Sequence, residues 1–444
     1  MIKNIRNMKD DAGRIVTESI KSVDPGMAVL RMVKLKGLLL SVGRIKINLK
    51  NINNIYVIGL GKASSQMAKP LEKILGSRLT GGIINTKYGH NAGLKKIKVN
   101  ECGHPVPDRN GLKGAGEICD FAKQAGENDI VFCLISGGGS ALFPLPAGGI
   151  AFSDKQKATQ LLLKSGATIQ EVNTVRKHIS SVKGGRLAKL ISPARVVSLI
   201  LSDVIGDDMG FIASGVTSPD PTTFRDCVDI IKRYRLMKKM PLPVIKYLSR
   251  GIKVPSMETP KPGDPVFKKV SNVLVGTNFL ACNAAMKKAK SLGYNTLLLS
   301  TAMEGETREI AKAHSAIARE VLLSGNPVGR PACIISGGET TVTVRGKGKG
   351  GRNMEFCLAC VEYISGLKNI VIASVGTDGT DGPTDSAGAV VDSSTFEKAL
   401  KKRCIPAEYL GNNDSYNFFK RCGGLYITGP TGTNVMDIRI VLVT

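Results

Sequence analysis

Apolar residues along this chain come in short blocks set between amphipathic and glycine-rich stretches. The run IVFCLI at 130–135 is continuous, which suits a strand buried on both faces of a parallel sheet. Runs at 55–58 and 195–201 predict two more such strands, and 82–85 a further one. The stretches between them have helical character: one helix to about residue 75, one over 111–126, and a long helix or helix pair over 169–190. Residues 1–37 are charged and amphipathic and predict helices on the outside of a sheet. The second half alternates again, with strands at 272–275, 295–299, 333–335, 340–344 and 370–374. Helices are predicted at 280–292 and 306–323, with another starting near 353, and 425–427 with 438–443 form a last hairpin-like pair.

This alternation predicts an α/β protein. At 444 residues the chain is too long for one ordinary core, so two domains or more are expected. The stretch VPSMETPKPGDP at 254–265 can continue neither a helix nor a central strand. It places an N-terminal domain at 1–253, a linker at 254–269 and a C-terminal α/β domain at 270–444. The last segments of the second domain are expected to pack back on the first.

Composition narrows the function classes. The formal net charge is +26, from 62 Lys and Arg against 36 Asp and Glu. A nucleic-acid protein clusters such charge and interleaves aromatics. Here aromatics are 5 %, tryptophan is absent and lysine is spread along the chain. No basic amphipathic helix points to a membrane surface, and no apolar run approaches the length of a span. What remains is a soluble enzyme whose field favours anionic substrates. The ten cysteines are scattered, and Cys133 and Cys333 sit inside apolar runs. Cys357 and Cys360 have C-x-x-C spacing without further Cys or His partners, so a buried helix face explains them better than zinc. With no signal-like N-terminus, reduced thiols and a cytoplasmic protein are expected.

The candidate chemistry gathers where predicted strands end. The run 130–135 leads into Ser136-Gly137-Gly138-Gly139-Ser140, whose glycines let backbone N–H groups approach a ligand. A helix starting near Ser140 would add its positive end, making a phosphate or carboxylate site. The strand at 55–58 leads into Gly59-Leu60-Gly61-Lys62-Ala63-Ser64, with a lysine near where a phosphate would sit. This is no Walker A loop, because Tyr56 replaces its first glycine. It fits a dinucleotide fingerprint poorly: Ser64 occupies the third glycine position, and the next strand ends in Thr86-Lys87 without an acid. His104 lies in a proline-fixed loop. Arg176 and Lys183 stand in a short basic segment that is either a solvated face or an anion site. Asp203 follows the strand at 195–201 and is a candidate for base or metal work, or a helix cap. Asp378, Asp381 and Asp385 crowd a glycine-rich loop in a manner that suits Mg²⁺ shared with phosphates.

Several of these stretches together resemble the type II glycerate kinase family that carries a MOFRL C-terminal domain. They are GLGKAS at 59–64, LISGGGSAL at 134–142, NTVRKHIS at 173–180, KGGRLA at 183–188, SDVIGDD at 202–208 and PDPTTF at 219–224. The second half adds SGGETTVTVRGKGKGGRNMEF at 336–356, GTDGTDGPTD at 376–385 and GPTGTNVMDIRIVL at 429–442. The resemblance spans nearly the whole chain. It implies a three-layer, Rossmann-like N-terminal domain with a mainly parallel sheet, a smaller α/β C-terminal domain, and an active site in the cleft between them. It also implies phosphorylation of D-glycerate with ATP and Mg²⁺, at the 2-hydroxyl in archaeal members, by a monomer or homodimer. The family's functional lysine corresponds to Lys62 and its arginine to Arg352. Met354 and Val216 depart from the family pattern, where glutamine and proline are expected, and neither change removes a charge.

Phosphoryl transfer needs positioning and charge neutralisation. The expected roles are these: Ser136, Gly137, Gly138, Gly139 and Ser140 hold phosphate oxygens, Lys62 and Arg352 neutralise the transferred group, and Asp378, Asp381 and Asp385 hold Mg²⁺. Asp203 orients or deprotonates the hydroxyl, and Arg176 or Lys183 binds the carboxylate. The alternatives are a glycerate 3-kinase, a hydroxypyruvate reductase using NAD(P)H, and a basic nucleic-acid-binding protein.

Overall fold

The computed structural model describes residues 4–444, which form two compact units of mixed α/β structure. One consists of Pro25–Ser202 and Asp207–Val275. The other combines the segment ending at Asp24 with Asp203–Gly206 and Gly276–Thr444.

The first unit is built on a six-stranded sheet. Its strands are β1 (Ile55–Leu60), β2 (Leu79–Lys87), β3 (Ile97–Cys102), β4 (Ile130–Ile135), β5 (Arg195–Leu201) and β6 (Val270–Gly276), in the order β3-β2-β1-β4-β5-β6. The four pairings that join β1 to β5 are parallel. Every residue of β1 and β4 is buried, which is why both read as unbroken apolar runs. Strand order reverses between β1 and β4. In open parallel sheets the loops that leave such a point are where ligands bind. A small antiparallel sheet of Val33–Lys36, Leu39–Val42 and Ile45–Asn48 precedes β1, where helices were expected as far as residue 37.

The helical segment over 169–190 is two helices, Ile169–His178 and Arg186–Ile191. Gly184 and Gly185 separate them with φ of +57° and +78°. A Cβ on Gly185 would sit 2.8 Å from the Phe267 ring, so no other residue fits this turn. The proline-rich stretch is stitched into the unit: Glu258 accepts from His178 Nε2 at 2.8 Å, and the Thr259 hydroxyl donates to Asp220 at 3.1 Å.

The second unit has its own six-stranded sheet: β7 (Asn295–Met303), β8 (Ala332–Gly338), β9 (Ile370–Gly376), β10 (Gly388–Asp392), β11 (Leu425–Tyr426) and β12 (Asp437–Val443). The order is β7-β8-β12-β9-β10-β11, and only β7 with β8 is parallel. The expected hairpin is not formed, because β9 and β10 stand between β11 and β12. The stretch 340–344 alternates like a strand, yet it makes one isolated bridge, between Thr341 and Glu306, and Val344 is 73 % exposed. Strand propensity without a neighbouring edge does not make a strand. The helix Ile5–Ser22 belongs to this unit: Ser19 Oγ donates to the Ala281 carbonyl at 2.7 Å, and Tyr294 donates to Asp11 at 3.0 Å.

All ten cysteines are free, and Cys357 and Cys360 lie buried on the helix Arg352–Tyr363. Among the described residues no helix is long and apolar enough to cross a membrane.

Candidate active site

The sheet's switch point brings two glycine loops together. The Lys62 N–H donates to the Gly137 carbonyl at 2.9 Å, and the Ala63 N–H to Ser136 Oγ at 3.0 Å. A Cβ on Gly61 would lie 2.2 Å from Ser136 Oγ, so this closeness requires glycine. One on Gly138 would lie 2.8 Å from the His104 ring and 3.3 Å from Lys62 Cγ. Lys62, His104 and Gly138 are therefore packed side by side. The helix expected near Ser140 is a single turn, Gly139–Leu142, too short to carry the macrodipole invoked for it. What the loop offers instead is backbone: among the described residues, the N–H groups of Gly137 and Gly138 donate to no protein acceptor.

Beside this loop opens a pocket of about 300 Å³ into which three cations reach. Lys155 comes from the helix Phe152–Lys164, Arg176 from Ile169–His178, and Lys183 from the segment before Gly184. Ser140 and His104 also line it, and no carboxylate does. Lys155 Nζ donates to the carbonyls of Pro144 and Leu145 at 3.1 and 2.9 Å. Lys183 Nζ donates to the Ser140 carbonyl at 3.1 Å. Arg176 has no acceptor among the described residues.

Electrostatics follow from this geometry. Burial, then the charge of Arg176, pushes Lys183 down to about 7. Lys155 is driven well below its ordinary value by burial, then by Lys183 and Arg176. Burial also lowers Arg176. His104 is pushed down to about 4 by burial and then by Lys62, Lys87 and His90, so it is a neutral imidazole. Nothing in the sequence marks Lys155, which is one lysine of a polar helix. Its 6 % exposure depends on tertiary packing that spacing does not encode.

In the second unit the centre is Arg352, the first residue of its helix. Its Nε and Nη2 grip both oxygens of Asp437 at 2.7 and 3.0 Å, and its Nη1 lies 2.7 Å from Glu339 Oε1. Asp437 opens the buried strand β12 and also accepts from Asn353 Nδ2 at 2.9 Å and Arg439 Nη2 at 3.3 Å. Arg439 is fully buried, with its guanidinium 5.3 Å from the Phe356 ring and its Nε and Nη1 unpartnered. Burial opposes the charge of Arg352, but Asp437 and then Glu339 outweigh it, and its affinity for protons rises. Glu339 is raised by burial, eased by Arg352 and reinforced by Asp437, Asp203 and Asp378. Asp203 therefore stands in the field of this cluster. Asp437, Arg439 and Glu339 are not among the residues expected from sequence, although two charges inside the apolar run DIRIVLV are a readable signal.

The three acids expected to share Mg²⁺ are not gathered. Asp381 is 2 % exposed and takes the N–H groups of Asn353 and Met354 at 3.0 and 2.7 Å, closing the first turn of the helix. Burial raises it to about 7 against those two hydrogen bonds. Asp378 accepts from the Thr380 N–H at 3.0 Å, within its own turn. Asp385 accepts from Tyr416 at 2.8 Å. Among the described residues no group of three or more His, Cys, Asp or Glu could hold a metal ion.

A Rossmann-order sheet with bare N–H groups and unpaired cations at its switch point defines an α/β enzyme for anionic substrates. A domain-of-unknown-function model (DUF4147) matches residues 11–249, and the MOFRL family model matches 332–437. A glycerate 2-kinase of Pyrococcus horikoshii is 45 % identical over 432 residues, covering 97 % of this chain and 96 % of that one. The crystal structure of a Thermotoga maritima glycerate kinase is 40 % identical, with a TM-score of 0.89 over 99 % of this chain and 100 % of that one. A provisionally named hydroxypyruvate reductase of Agrobacterium vitis is 42 % identical over 389 residues, 87 % of this chain and 86 % of that one. The chain belongs to the glycerate kinase family that carries the MOFRL domain.

Proposed function

We infer that this chain is a glycerate 2-kinase, transferring the γ-phosphoryl group of ATP to the 2-hydroxyl of D-glycerate. The observation that carries this is Arg176: a half-buried guanidinium in a carboxylate-free pocket, without a protein acceptor, beside a loop of bare N–H groups. Such a charge needs an anionic ligand to complete it. We assign Arg176 to the glycerate carboxylate. The N–H groups of Gly137 and Gly138, with Ser136, Gly139 and Ser140 shaping the loop, are assigned to phosphate oxygens, as is Lys62. In the second unit Arg352 stabilises charge on the transferred group, held by both oxygens of Asp437. Asp203 orients the hydroxyl. ATP enters as its Mg²⁺ complex, because nucleotide-bound Mg²⁺ draws most of its ligands from phosphates and water. Asp378, Asp381 and Asp385 do not fit as a ready-made cage for that ion, since each is already engaged elsewhere. Ten free thiols, nine of them buried, support a reducing, cytoplasmic setting.

Phosphorus NMR of the protein with D-glycerate, ATP and Mg²⁺ tests this. A 2-phosphoglycerate signal is expected. A 3-phosphoglycerate signal would keep the kinase and overturn the regiochemistry, and intact ATP would overturn both. The name of the A. vitis relative supports a second reading, a hydroxypyruvate reductase. Against it, β2 ends in Thr86-Lys87 with no acid for a nicotinamide ribose. NADH absorbance in the presence of hydroxypyruvate is expected to stay constant.

A further inference from the structure

We propose that Lys183 is the general base of this reaction, its neutral amine taking the proton of the glycerate 2-hydroxyl as that oxygen attacks phosphorus. This rests on the kinase reading above. The 2-oxygen forms a bond to the γ-phosphorus, the bond from that phosphorus to the β–γ bridging oxygen breaks, and its electron pair leaves with ADP. The proton passes from the hydroxyl to Lys183 Nζ, and from there to water as the products depart.

A tight glycine turn fixes the placement of Lys183. Gly184 and Gly185, next in the chain, both have positive φ, and both pack too closely to move: a Cβ on Gly184 would meet Asp220 and Thr259 at 3.1 Å. The side chain ahead of this turn is 1 % exposed and reaches the pocket wall at the Ser140 carbonyl. That carbonyl is its one acceptor among the described residues. A neutral amine can donate to it and still hold a lone pair for a proton. An ammonium would have donors left over with nothing to receive them.

The surroundings favour the neutral form. Arg176 approaches from one helix and Lys155 from another, and His104 lines the same pocket as a neutral ring. None of these groups is an acid, so nothing in the pocket stabilises a further positive charge. Burial and Arg176 bring Lys183 to about 7, where a lysine can act as a base near neutrality. Lys155 is occupied in bracing the Pro144 and Leu145 carbonyls. The division of labour is then chemical. Arg176 is permanently charged and suits a carboxylate, whereas Lys183 can lose its proton and suits a hydroxyl.

Lys183→Arg separates a base from a mere cation, because the guanidinium keeps its charge and cannot accept a proton. The expected result is a kcat lower by about a hundredfold or more, with the KM for D-glycerate within about threefold. A kcat within about threefold of wild type would overturn the proposal. Should the arginine not be accommodated, the wild-type enzyme decides. At saturating ATP and Mg²⁺, kcat/KM for D-glycerate should fall about tenfold per pH unit below pH ~7. That limb should move with temperature as an amine ionisation does and a carboxyl ionisation does not, and it should persist in Asp203→Asn. Absence of the limb, a carboxyl-like response to temperature, or its loss in Asp203→Asn would overturn the assignment of Lys183. Absence of any phosphoglycerate from wild type overturns the kinase reading and this proposal together. A phosphorylating wild type with an active Lys183→Arg overturns this proposal alone.

Discussion

Arg352 and Arg176 are held in opposite ways. Arg352 is saturated: both oxygens of Asp437 and one of Glu339 take its guanidinium, and its proton is bound more firmly than usual. Arg176 has no protein acceptor among the described residues, and burial weakens its hold on its proton. A buried charge with partners is rigid and preorganised, while one without them is costly until a ligand arrives. The fold completes the first arginine, and only an anion completes the second. Lys62 sides with Arg176. Its backbone is pinned to Gly137, but its ammonium has no ion-pair partner among the described residues.

The carboxylate that completes Arg352 should therefore govern stability, and the cations that the protein leaves incomplete should govern turnover. The largest effect is expected from Lys62→Ala. Its kcat should fall by about a thousandfold, the scale of losing one preorganised charge at a transferring group. Its thermal midpoint should match that of wild type. Steady-state assays and calorimetry on one preparation check both, and full residual activity would remove Lys62 from the site.

Next comes Asp437→Asn. It leaves Arg352 and the fully buried Arg439 without their shared counter-charge, and it puts an NH₂ that cannot accept in place of one of the two carboxylate oxygens. Removing one partner of a buried ion pair costs about 3–5 kcal/mol. A urea titration should show that loss as a lowered midpoint with an unchanged slope. An unchanged midpoint would mean that this network is not what holds the strand end and helix start together.

The two regions are also unequally legible in the sequence. The parallel unit is plain because burial on both faces writes strands as unbroken apolar runs: 130–135 and 195–201 are strands with those limits. The glycine loops are legible for the same reason, since each follows such a run. The second unit is mostly antiparallel, and its pairing is set by contacts far apart in sequence. Leu425–Tyr426 and β12 look like partners because they are neighbours in the chain, yet two strands separate them. The site divides similarly. Arg176 and Lys183 show themselves as a basic segment, but Lys155 becomes part of the pocket only through folding. The acids of 378–385 look like a metal site because they crowd together in sequence. In space one closes a helix, one closes a turn and one meets a tyrosine.

An effect of intermediate size is expected from Arg176→Met. It removes a charge-assisted contact with the carboxylate, worth about 2 kcal/mol. The KM for D-glycerate should therefore rise about thirtyfold. Stability should hold or increase, because the substitution relieves repulsion on Lys155 and Lys183 and leaves no protein acceptor bare. A clear fall in thermal midpoint would show that Arg176 serves the fold after all.

The smallest effect, and the one most particular to the bare pocket, is the pH dependence of stability. Lys183 is lowered to about 7 in the folded chain, against an ordinary value of 10.5. Between these limits the unfolded chain carries a proton on this lysine that the folded chain does not. Stability rises with pH wherever the unfolded state binds more protons. The contribution of Lys183 is therefore unfavourable below pH ~7 and recovers as pH climbs toward 10. Lys183→Met should flatten that climb by on the order of 1–2 kcal/mol once solvent relaxation is allowed for. Taking the difference between variant and wild type cancels every group they share. Saturating 2-phosphoglycerate should flatten the wild-type climb in the same way, because its charge gives the pocket the counter-ion that the protein withholds and keeps Lys183 protonated. If the ligand raises stability equally at pH 7 and pH 10, the anion is not bound against Lys183, and the contrast between completed and incomplete cations then rests on Arg176 alone.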